Sequence, residues 1–257
     1  MDEKRMGISG STLKLIAIIA MLIDHIGAIV LERMLRLGNT GLERMEIGID
    51  LSGLYVIYMV MRLIGRLGFP IFCFLLIEGM QYTKDIKKYA LRLFLFAVIS
   101  EVPFDLGFAG RGIYWQYQNV FFTLFIGLLV MIGFRKLEDS KKWGTISGYL
   151  LYLLVLGVGM GAAELLQTDY SAMGVLTIAA MYQYRRKRVL SVGIGCAILT
   201  VMSILEVTAF ATLLPICLYN GKRGWNIKWL FYAFYPVHIL VLYLIACGLG
   251  LGDIMLR

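Results

Sequence analysis

The sequence predicts an all-α membrane protein, a polytopic transmembrane helical bundle of about eight to ten membrane segments. Of its 257 residues, 60% are hydrophobic and 16% are charged, whereas soluble domains are about a quarter charged. Apolar runs of roughly 17–25 residues, the length that crosses the hydrocarbon core of a bilayer, recur along the chain. No long polar stretch could form a soluble module. We therefore expect one membrane-embedded domain over residues 1–257.

The apolar runs predict the individual spans, which we place at 13–32, 66–82, 89–106, 118–134, 145–165, 171–184, 189–206, 208–219 and 229–249. Residues 51–64 are too short to cross a bilayer. We predict that they extend the second span as a kinked or interfacial helix, broken at Gly65, Gly68 and Pro70. The run 171–184 is short and 208–219 contains Pro215, so either is predicted to be a half-helix or a re-entrant piece.

Basic residues orient the predicted bundle. Alternate ends of the spans hold 18 of the 25 lysines and arginines, and the positive-inside rule then places the N-terminus in the cytoplasm. The net charge of +8 is spread over these short loops, which favours contact with anionic lipid headgroups over binding to nucleic acid. The four cysteines lie singly in apolar runs without a CxxC spacing, so no metal site is predicted.

Several ionisable residues lie inside the predicted spans, where a charge costs roughly 2.5–3.5 kcal/mol and therefore requires a partner or a function. Both histidines of the chain are among them. The clearest cases are Asp24, His25, Glu78, Glu101 and His238.

Asp24 and His25 are neighbours on the first span and point about 100° apart, so each must find its partner on another helix. His238 follows Pro236 by two residues, and the bend at a proline favours a local polar pocket. These residue types suit a histidine general base oriented by a carboxylate, with an arginine binding an anionic group. Arg62 and Arg66 lie just before or at the start of the second span. The alternative is that the same groups only hold helices together.

Three further segments have two interpretations each. The segment "GVGMGA", 157–162, fits a dinucleotide-binding pattern, but no strand precedes it and close helix packing is favoured. In "SEVPFDLGF", 100–108, Glu101 and Asp105 form either a paired acidic site for a cation or amine, or a helix end. The basic side chains of "YNGKRGW", 219–225, either set the topology or hold a lipid phosphate or a CoA pyrophosphate.

Taken together, "KLIAIIAMLIDHIG", "GRLGFPIFCFLLIEG", "SEVPFDLGF", "QNVFFTLFIGLL", "YNGKRG" and "FYPVHILVLYL" resemble the TraX family in its order of motifs. That family is named for a membrane protein that N-acetylates a conjugative pilin subunit, and it is similar in outline to transmembrane acyltransferases that use acyl-CoA. The resemblance implies functional positions at Asp24, His25, Arg66, Pro70, Glu78, Glu101, Pro103, Asp105, Asn119, Asn220, Lys222, Arg223, Pro236 and His238. It does not carry the pilin substrate to this chain.

The resemblance and the buried polar residues together imply an integral-membrane acyltransferase of a bacterial inner or plasma membrane. Acetyl-CoA is the expected cosubstrate, and we expect no tightly bound cofactor. The acceptor would be an amine or hydroxyl of a peptide, glycan or lipid. We expect His25 to act as general base with Asp24 or Glu101 orienting it. His238 is the alternative base, or a donor that polarises the thioester carbonyl.

The remaining assignments concern substrate binding. We expect Arg66 to anchor an anionic group or pair with Asp24, and CoA to lie near loops 84–92 and 220–228. The set of expected substrate- or cosubstrate-binding residues is Arg66, Glu78, Asp105, Asn119, Asn220, Lys222 and Arg223. The alternative functions are a proton-coupled transporter or permease component, although no inverted repeat is present, and a structural membrane partner without chemistry.

Overall fold

The described part of the chain is helical. A computed structural model describes residues 7–39, 51–140, 144–225 and 228–256, and over these ranges it contains helices and no strand. The predicted all-α fold is confirmed. In chain order the helices are α1 (Gly10–Ile26), a π-helix (Gly27–Leu31), α2 (Glu32–Asn39), α3 (Leu51–Gly65), α4 (Gly68–Tyr82), α5 (Ile86–Ala109), α6 (Val120–Glu138), α7 (Ile146–Leu165), α8 (Ser171–Gln183), α9 (Arg188–Met202), a 3-10 helix (Ile204–Thr212), α10 (Leu213–Cys217) and α11 (Lys228–Gly248).

Five helical stretches of the described residues are long and apolar enough to cross a membrane, as a multi-pass membrane protein requires. They are Gly10–Gly38, Leu51–Tyr82, Val120–Glu138, Ile146–Leu165 and Trp229–Gly248. The expected 89–106 span lies inside α5. It is not one of the five, because it contains Arg92, Glu101 and Asp105. The total of eight to ten segments and the cytoplasmic N-terminus stay predictions.

Helix boundaries follow the local sequence, with one correction. The expected break after residue 64 is present, because α3 ends at Gly65 and α4 begins at Gly68. The expected span 189–206 is too long, since α9 ends at Met202. Ser203 then takes an extended backbone, with φ −153° and ψ 131°, and a 3-10 helix follows. A residue in this conformation cannot continue the α-helical hydrogen-bond pattern.

The chain divides into two compact units, which we describe separately. Unit 1 contains the described residues of Met1–Phe69, Ile99–Tyr114 and Tyr219–Arg257, and unit 2 those of Pro70–Val98 and Trp115–Leu218. In unit 1, α1 packs against both α3 and α11, and so does the π-helix that follows α1. A methyl group on Gly27 would lie 3.3 Å from Cβ of Met61 on α3. The absence of a side chain at Gly27 therefore sets how closely these two helices approach.

Two arginines of unit 1 bind the main chain of residues 254–256. Arg33 is completely buried, and its Nε donates to the carbonyl of Ile254 over 3.0 Å. Arg36 donates to the carbonyls of Met255 and Leu256 over 3.0 and 2.8 Å. Arg36 also bonds the carboxylate of Glu32, whereas the buried Arg33 bonds main-chain oxygens, those of Ile29 and Ile254.

In unit 2, helices α6, α7 and α8 pack against one another and α9 packs on α8. A methyl group on Gly159 of α7 would lie 2.2 Å from a methyl of Val130 on α6. Close helix packing, the favoured interpretation of residues 157–162, is thereby confirmed at Gly159. An ion pair between Arg185 and Glu138, 2.7 Å between Nη2 and Oε2, joins the ends of α6 and α8.

Candidate functional site

The two histidines of the chain are hydrogen-bonded to each other. Nδ1 of His25 on α1 lies 2.7 Å from Nε2 of His238 on α11. The two rings are nearly coplanar, 8° apart, with their centroids separated by 4.9 Å. This separation matches two imidazoles joined end to end through their nitrogens, so the N–H of one points along the ring plane at the other. Helices α1 and α11 thus place both histidines of the chain in one site.

Hydrogen bonding assigns the tautomer of each neutral ring. Nδ1 of His238 lies 2.7 Å from the carbonyl oxygen of Phe234, one turn earlier on α11. A carbonyl only accepts, so Nδ1 of His238 must carry the proton, and Nε2 of the neutral ring is an acceptor. Nε2 therefore accepts from Nδ1–H of His25. The remaining nitrogen of the neutral His25 ring, Nε2, carries a lone pair.

Aromatic rings surround the histidine pair. The Phe234 ring lies nearly parallel to His238 at a centroid distance of 4.6 Å. The rings of Phe108 and Tyr235 meet His25 edge-on at 5.7 and 6.0 Å. His238 is 6% exposed, whereas His25 is half-buried. His25 is therefore the more exposed member of the pair.

Asp24 bonds to a different helix from its neighbour His25, as the 100° angle between them requires. Nη1 of Arg62, on α3, donates to Oδ2 of Asp24 over 2.6 Å, and the two side chains are 20% and 16% exposed. A methyl group on Gly65 would lie 2.2 Å from Oδ1 of Asp24. The ion pair therefore depends on a glycine at position 65, the last residue of α3.

Glu101 and Asp105 lie one turn apart on the part of α5 that belongs to unit 1. Glu101 is half-buried, and Asp105 is 3% exposed. Oδ2 of Asp105 accepts the backbone N–H of Tyr114 over 2.7 Å, which closes the turn after α5. Asp105 is also three residues before Phe108, so its carboxylate is one helical turn from a ring that contacts His25. The described geometry gives Asp105 a role in ending the helix and leaves a ligand-binding role as a prediction.

The remaining expected site residues divide between the units. Arg66 belongs to unit 1, in the turn between α3 and α4, whereas Glu78 and Asn119 belong to unit 2. Glu78 is buried in α4. Asn119 is the N-cap of α6: its Oδ1 accepts from Phe121 N at 3.0 Å, and its Nδ2 donates to the carbonyl of Ala97 at 2.8 Å. Both polar atoms of the Asn119 side chain thus serve the fold of unit 2.

The basic loop at 219–225 closes the start of α1. The N–H groups of Gly10 and Ser11 donate to the carbonyls of Lys222 and Arg223 over 2.7 and 3.0 Å. Asn220 organises the loop, since its Oδ1 accepts from Lys222 N and its Nδ2 donates to the carbonyl of Gly7. Because the main chain makes these bonds, the side chains of Lys222 and Arg223 remain exposed. They form a basic patch at the N-terminal end of the helix that carries His25.

Comparison with known proteins adds an independent finding. A family model described as "TraX protein" matches residues 9–246 of this chain. The chain belongs to the TraX family. It is also 27% identical, over 93% of its own length and 96% of the other protein's, to a probable fimbrial assembly protein FimC, serogroup H1, of Dichelobacter nodosus. No solved structure matches it significantly.

Sequence reasoning missed parts of this TraX-family site. It placed Arg62 in the predicted second-span region without assigning it to Asp24, and it did not foresee that the Phe234 carbonyl fixes the tautomer of His238. The available signal for Arg62 was its position in an apolar run, where an arginine needs an anionic partner. Within the described ranges no group of three or more His, Cys, Asp or Glu side chains could hold a metal ion.

Proposed function

We propose that this protein is an integral-membrane acyltransferase of a bacterial cell membrane. It would transfer an acetyl group from acetyl-CoA to an amine or hydroxyl. The observation that carries the proposal is the His25–His238 hydrogen bond inside a membrane bundle. A buried imidazole with an available lone pair is a general base at neutral pH, and acyl transfer to an amine or hydroxyl requires one. Membership of the TraX family supports the same chemistry.

The geometry favours His25 over His238 as the base. Both nitrogens of His238 are engaged, one with Phe234 and one with His25. His238 therefore has no nitrogen left to accept a proton from the acceptor or to polarise a carbonyl. His25 is more exposed, and its Nε2 is the basic atom of the neutral pair. In this proposal His238 holds the tautomer of His25 and stabilises the imidazolium that forms, as the acid of a catalytic triad does.

The reaction then proceeds through a tetrahedral intermediate. The lone pair of the acceptor nitrogen or oxygen attacks the thioester carbonyl carbon, while His25 Nε2 takes the proton of the acceptor. When the intermediate collapses, the C–S bond breaks and the CoA thiolate leaves, taking that proton from His25. The N–H···N bond to His238 spreads the positive charge over two rings while it exists. Asp24 is already paired with Arg62, so its proposed contribution is the local negative charge and not a direct hydrogen bond to His25.

Lys222 and Arg223 are the proposed contacts for the phosphates of CoA, which would enter from the cytoplasmic side. Their loop is bonded to Gly10 and Ser11, and His25 lies fifteen residues after Gly10 on a continuous helix, about 22 Å at 1.5 Å per residue. The extended pantetheine arm of CoA could bridge such a distance from a phosphate site to a buried base. Arg66, Glu78, Asp105 and Asn119 remain proposed binding residues on the family resemblance.

The acceptor is a peptide, glycan or lipid group. The similar protein from Dichelobacter nodosus is named as a probable fimbrial assembly protein, so a peptide amine is the first acceptor to test. Serine hydroxyls, glycan hydroxyls and lipid amines complete the panel.

The test uses purified protein in detergent with labelled acetyl-CoA and this acceptor panel. We expect CoA release and labelled acceptor from the wild type, and a loss of about 10²–10⁴-fold for His25→Gln, the usual contribution of a general base. Arg185→Gln is the control, because it breaks an ion pair in unit 2 that is nearly as short and nearly as buried as Asp24–Arg62. It should retain transfer activity.

Two results would overturn the proposal. Full activity of His25→Gln would remove His25 as the base. Absence of CoA binding together with pH-driven solute uptake into proteoliposomes would favour the proton-coupled carrier, for which the intramembrane histidine pair and Asp24 would also be suitable.

A further inference from the structure

We infer that Arg62 is a second catalytic residue, which donates to the carbonyl oxygen of the acyl thioester and stabilises the oxyanion of the tetrahedral intermediate. Sequence reasoning gave this arginine no place among the expected site residues. The inference rests on the proposed acyl transfer, and it adds the electrophilic half of the reaction to the base supplied by His25.

Arg62 lies at the same level of α1 as His25. Its guanidinium bonds Asp24, the residue before His25, over 2.6 Å. Its Cδ would lie 3.8 Å from a methyl group on Gly27, two residues after His25. The side chain of Arg62 therefore lies on the face of α1 and the following π-helix that carries Asp24 and Gly27, at the level of His25 along the helix axis.

The guanidinium of Arg62 keeps donors for a ligand. An arginine has five N–H donors, and among the described residues only the bond from Nη1 to Asp24 engages them. The side chain is 20% exposed. Arg33, by contrast, is fully enclosed and is bonded to the carbonyls of Ile29 and Ile254. Arg62 therefore combines nearness to His25, remaining donors and access.

Charge makes this placement useful for acyl transfer. The thioester oxygen is nearly neutral before attack and becomes an anion in the tetrahedral intermediate, so a fixed cation stabilises the intermediate more than the substrate. Asp24 holds the guanidinium in one orientation, so little reorganisation is needed when the negative charge develops. The attacking lone pair forms the new bond to carbon, the C=O π electrons move to the oxygen beside Arg62, and the proton goes to His25 Nε2. The oxyanion then collapses, the C–S bond breaks, and the thiolate recovers the proton.

The experiment has two readouts. The first is kcat and KM for acetyl transfer by wild type, Arg62→Gln and Arg62→Lys, with Arg185→Gln as the matched control. We expect Arg62→Gln to lower kcat by about 100-fold or more, as removal of one oxyanion donor does, with little change in KM. Arg62→Lys should recover part of the loss because it keeps the charge.

The second readout requires no turnover. A ketone analogue of acetyl-CoA, in which CH₂ replaces the sulfur and the carbonyl carbon is ¹³C, is bound to each variant and observed by NMR. A hydrogen bond from Arg62 should move the carbonyl resonance of the bound ketone downfield. The shift should persist in His25→Gln and Arg185→Gln and disappear in Arg62→Gln.

These readouts separate the two hypotheses. Wild-type transfer together with near-normal kcat and an unchanged resonance in Arg62→Gln would overturn the role of Arg62 and leave the acyltransferase intact. If the wild type transfers no acyl group, the proposed function fails, and the ketone resonance alone decides whether Arg62 is a carbonyl donor. If the ketone does not bind, or its shift does not depend on Arg62, the inference about Arg62 is wrong.

Discussion

Replacing Gly65 with alanine tests how the Asp24–Arg62 ion pair is held in place. A methyl group at this position would lie 2.2 Å from Oδ1, 2.3 Å from Cβ and 2.4 Å from Cγ of Asp24, whereas ordinary contacts begin at 3.4 Å. Rotation of the carboxylate cannot relieve this overlap, because Cβ of Asp24 is fixed to the backbone of α1. The two helices must therefore separate locally by about 1 Å, which is enough to break a 2.6 Å hydrogen bond.

We expect Gly65→Ala to lower the free energy of unfolding by about 1–3 kcal/mol, the usual cost of overpacking. It should also lower acyl transfer by about 10²-fold, since a 1 Å misplacement of a catalytic group has that effect. The measurements are denaturation by SDS titration of the detergent-solubilised protein and the acetyl-CoA assay described above.

Two glycines of α7 provide controls. Gly159→Ala meets a methyl of Val130 at 2.2 Å, whereas at Gly157 nothing lies within 4 Å. Gly159→Ala should therefore destabilise the protein while transfer activity persists. Gly157→Ala should leave activity unchanged and should not lower stability, because alanine favours a helix interior over glycine. Wild-type stability and activity in Gly65→Ala would refute the argument that the contact with Gly65 positions Asp24.

Three other predictions follow from single contacts. His238→Gln should lower kcat by up to about 10⁴-fold, the loss found when a catalytic histidine is left in the wrong tautomer; a wild-type kcat would contradict the assigned tautomer. Asn119→Ala should lower the free energy of unfolding by about 1–2 kcal/mol in the SDS titration, because it removes the N-cap of α6; an unchanged midpoint would show that the cap contributes nothing. The exposed side chain of Asp85 accepts the backbone N–H of Lys88 at 3.0 Å, and this hydrogen bond lowers the pKa of Asp85 below its usual 3.8. The ionised carboxylate therefore stabilises the first turn of α5 fully above pH 3.8, and this stabilisation is lost as the pH falls through the lowered pKa. Hydrogen exchange of that turn should show this loss in the wild type and not in Asp85→Asn, and equal pH dependence in both would refute it.

Most of the candidate site could be predicted from the sequence, because a charged side chain inside a membrane span is costly and needs a partner. This cost identified Asp24, His25 and His238 as residues that need partners on other helices. In the structure Asp24 bonds Arg62, and the two histidines bond each other. Arg66 was named as a possible partner of Asp24, whereas the 2.6 Å ion pair in the structure is formed by Arg62. These two lie one turn apart, and the choice depends on how α3 slides along α1, which the glycines at 27 and 65 set.

Other residues could be found in the sequence but not interpreted fully. Asp105 and Asn119 were singled out as ligand-binding groups, and in the structure both bond backbone groups near helix ends. A polar residue at a helix end satisfies unpaired N–H groups whether or not it also binds a ligand, so residue type alone does not separate the two uses. The end of α9 was missed for a similar reason, because apolarity continues past Met202 while the α-helix stops.

The way Arg33 and Arg36 hold residues 254–256 has a consequence for variation of this protein. The two guanidinium groups bond three successive peptide carbonyls, and every amino acid offers the same carbonyl. The identity of the side chains at 254 and 255 can therefore drift among relatives without loss of these bonds. The two arginines cannot drift in the same way, since lysine lacks the planar set of donors that reaches neighbouring carbonyls together. Among relatives, Arg33 and Arg36 of α2 should thus be more conserved than the side chains of residues 254 and 255.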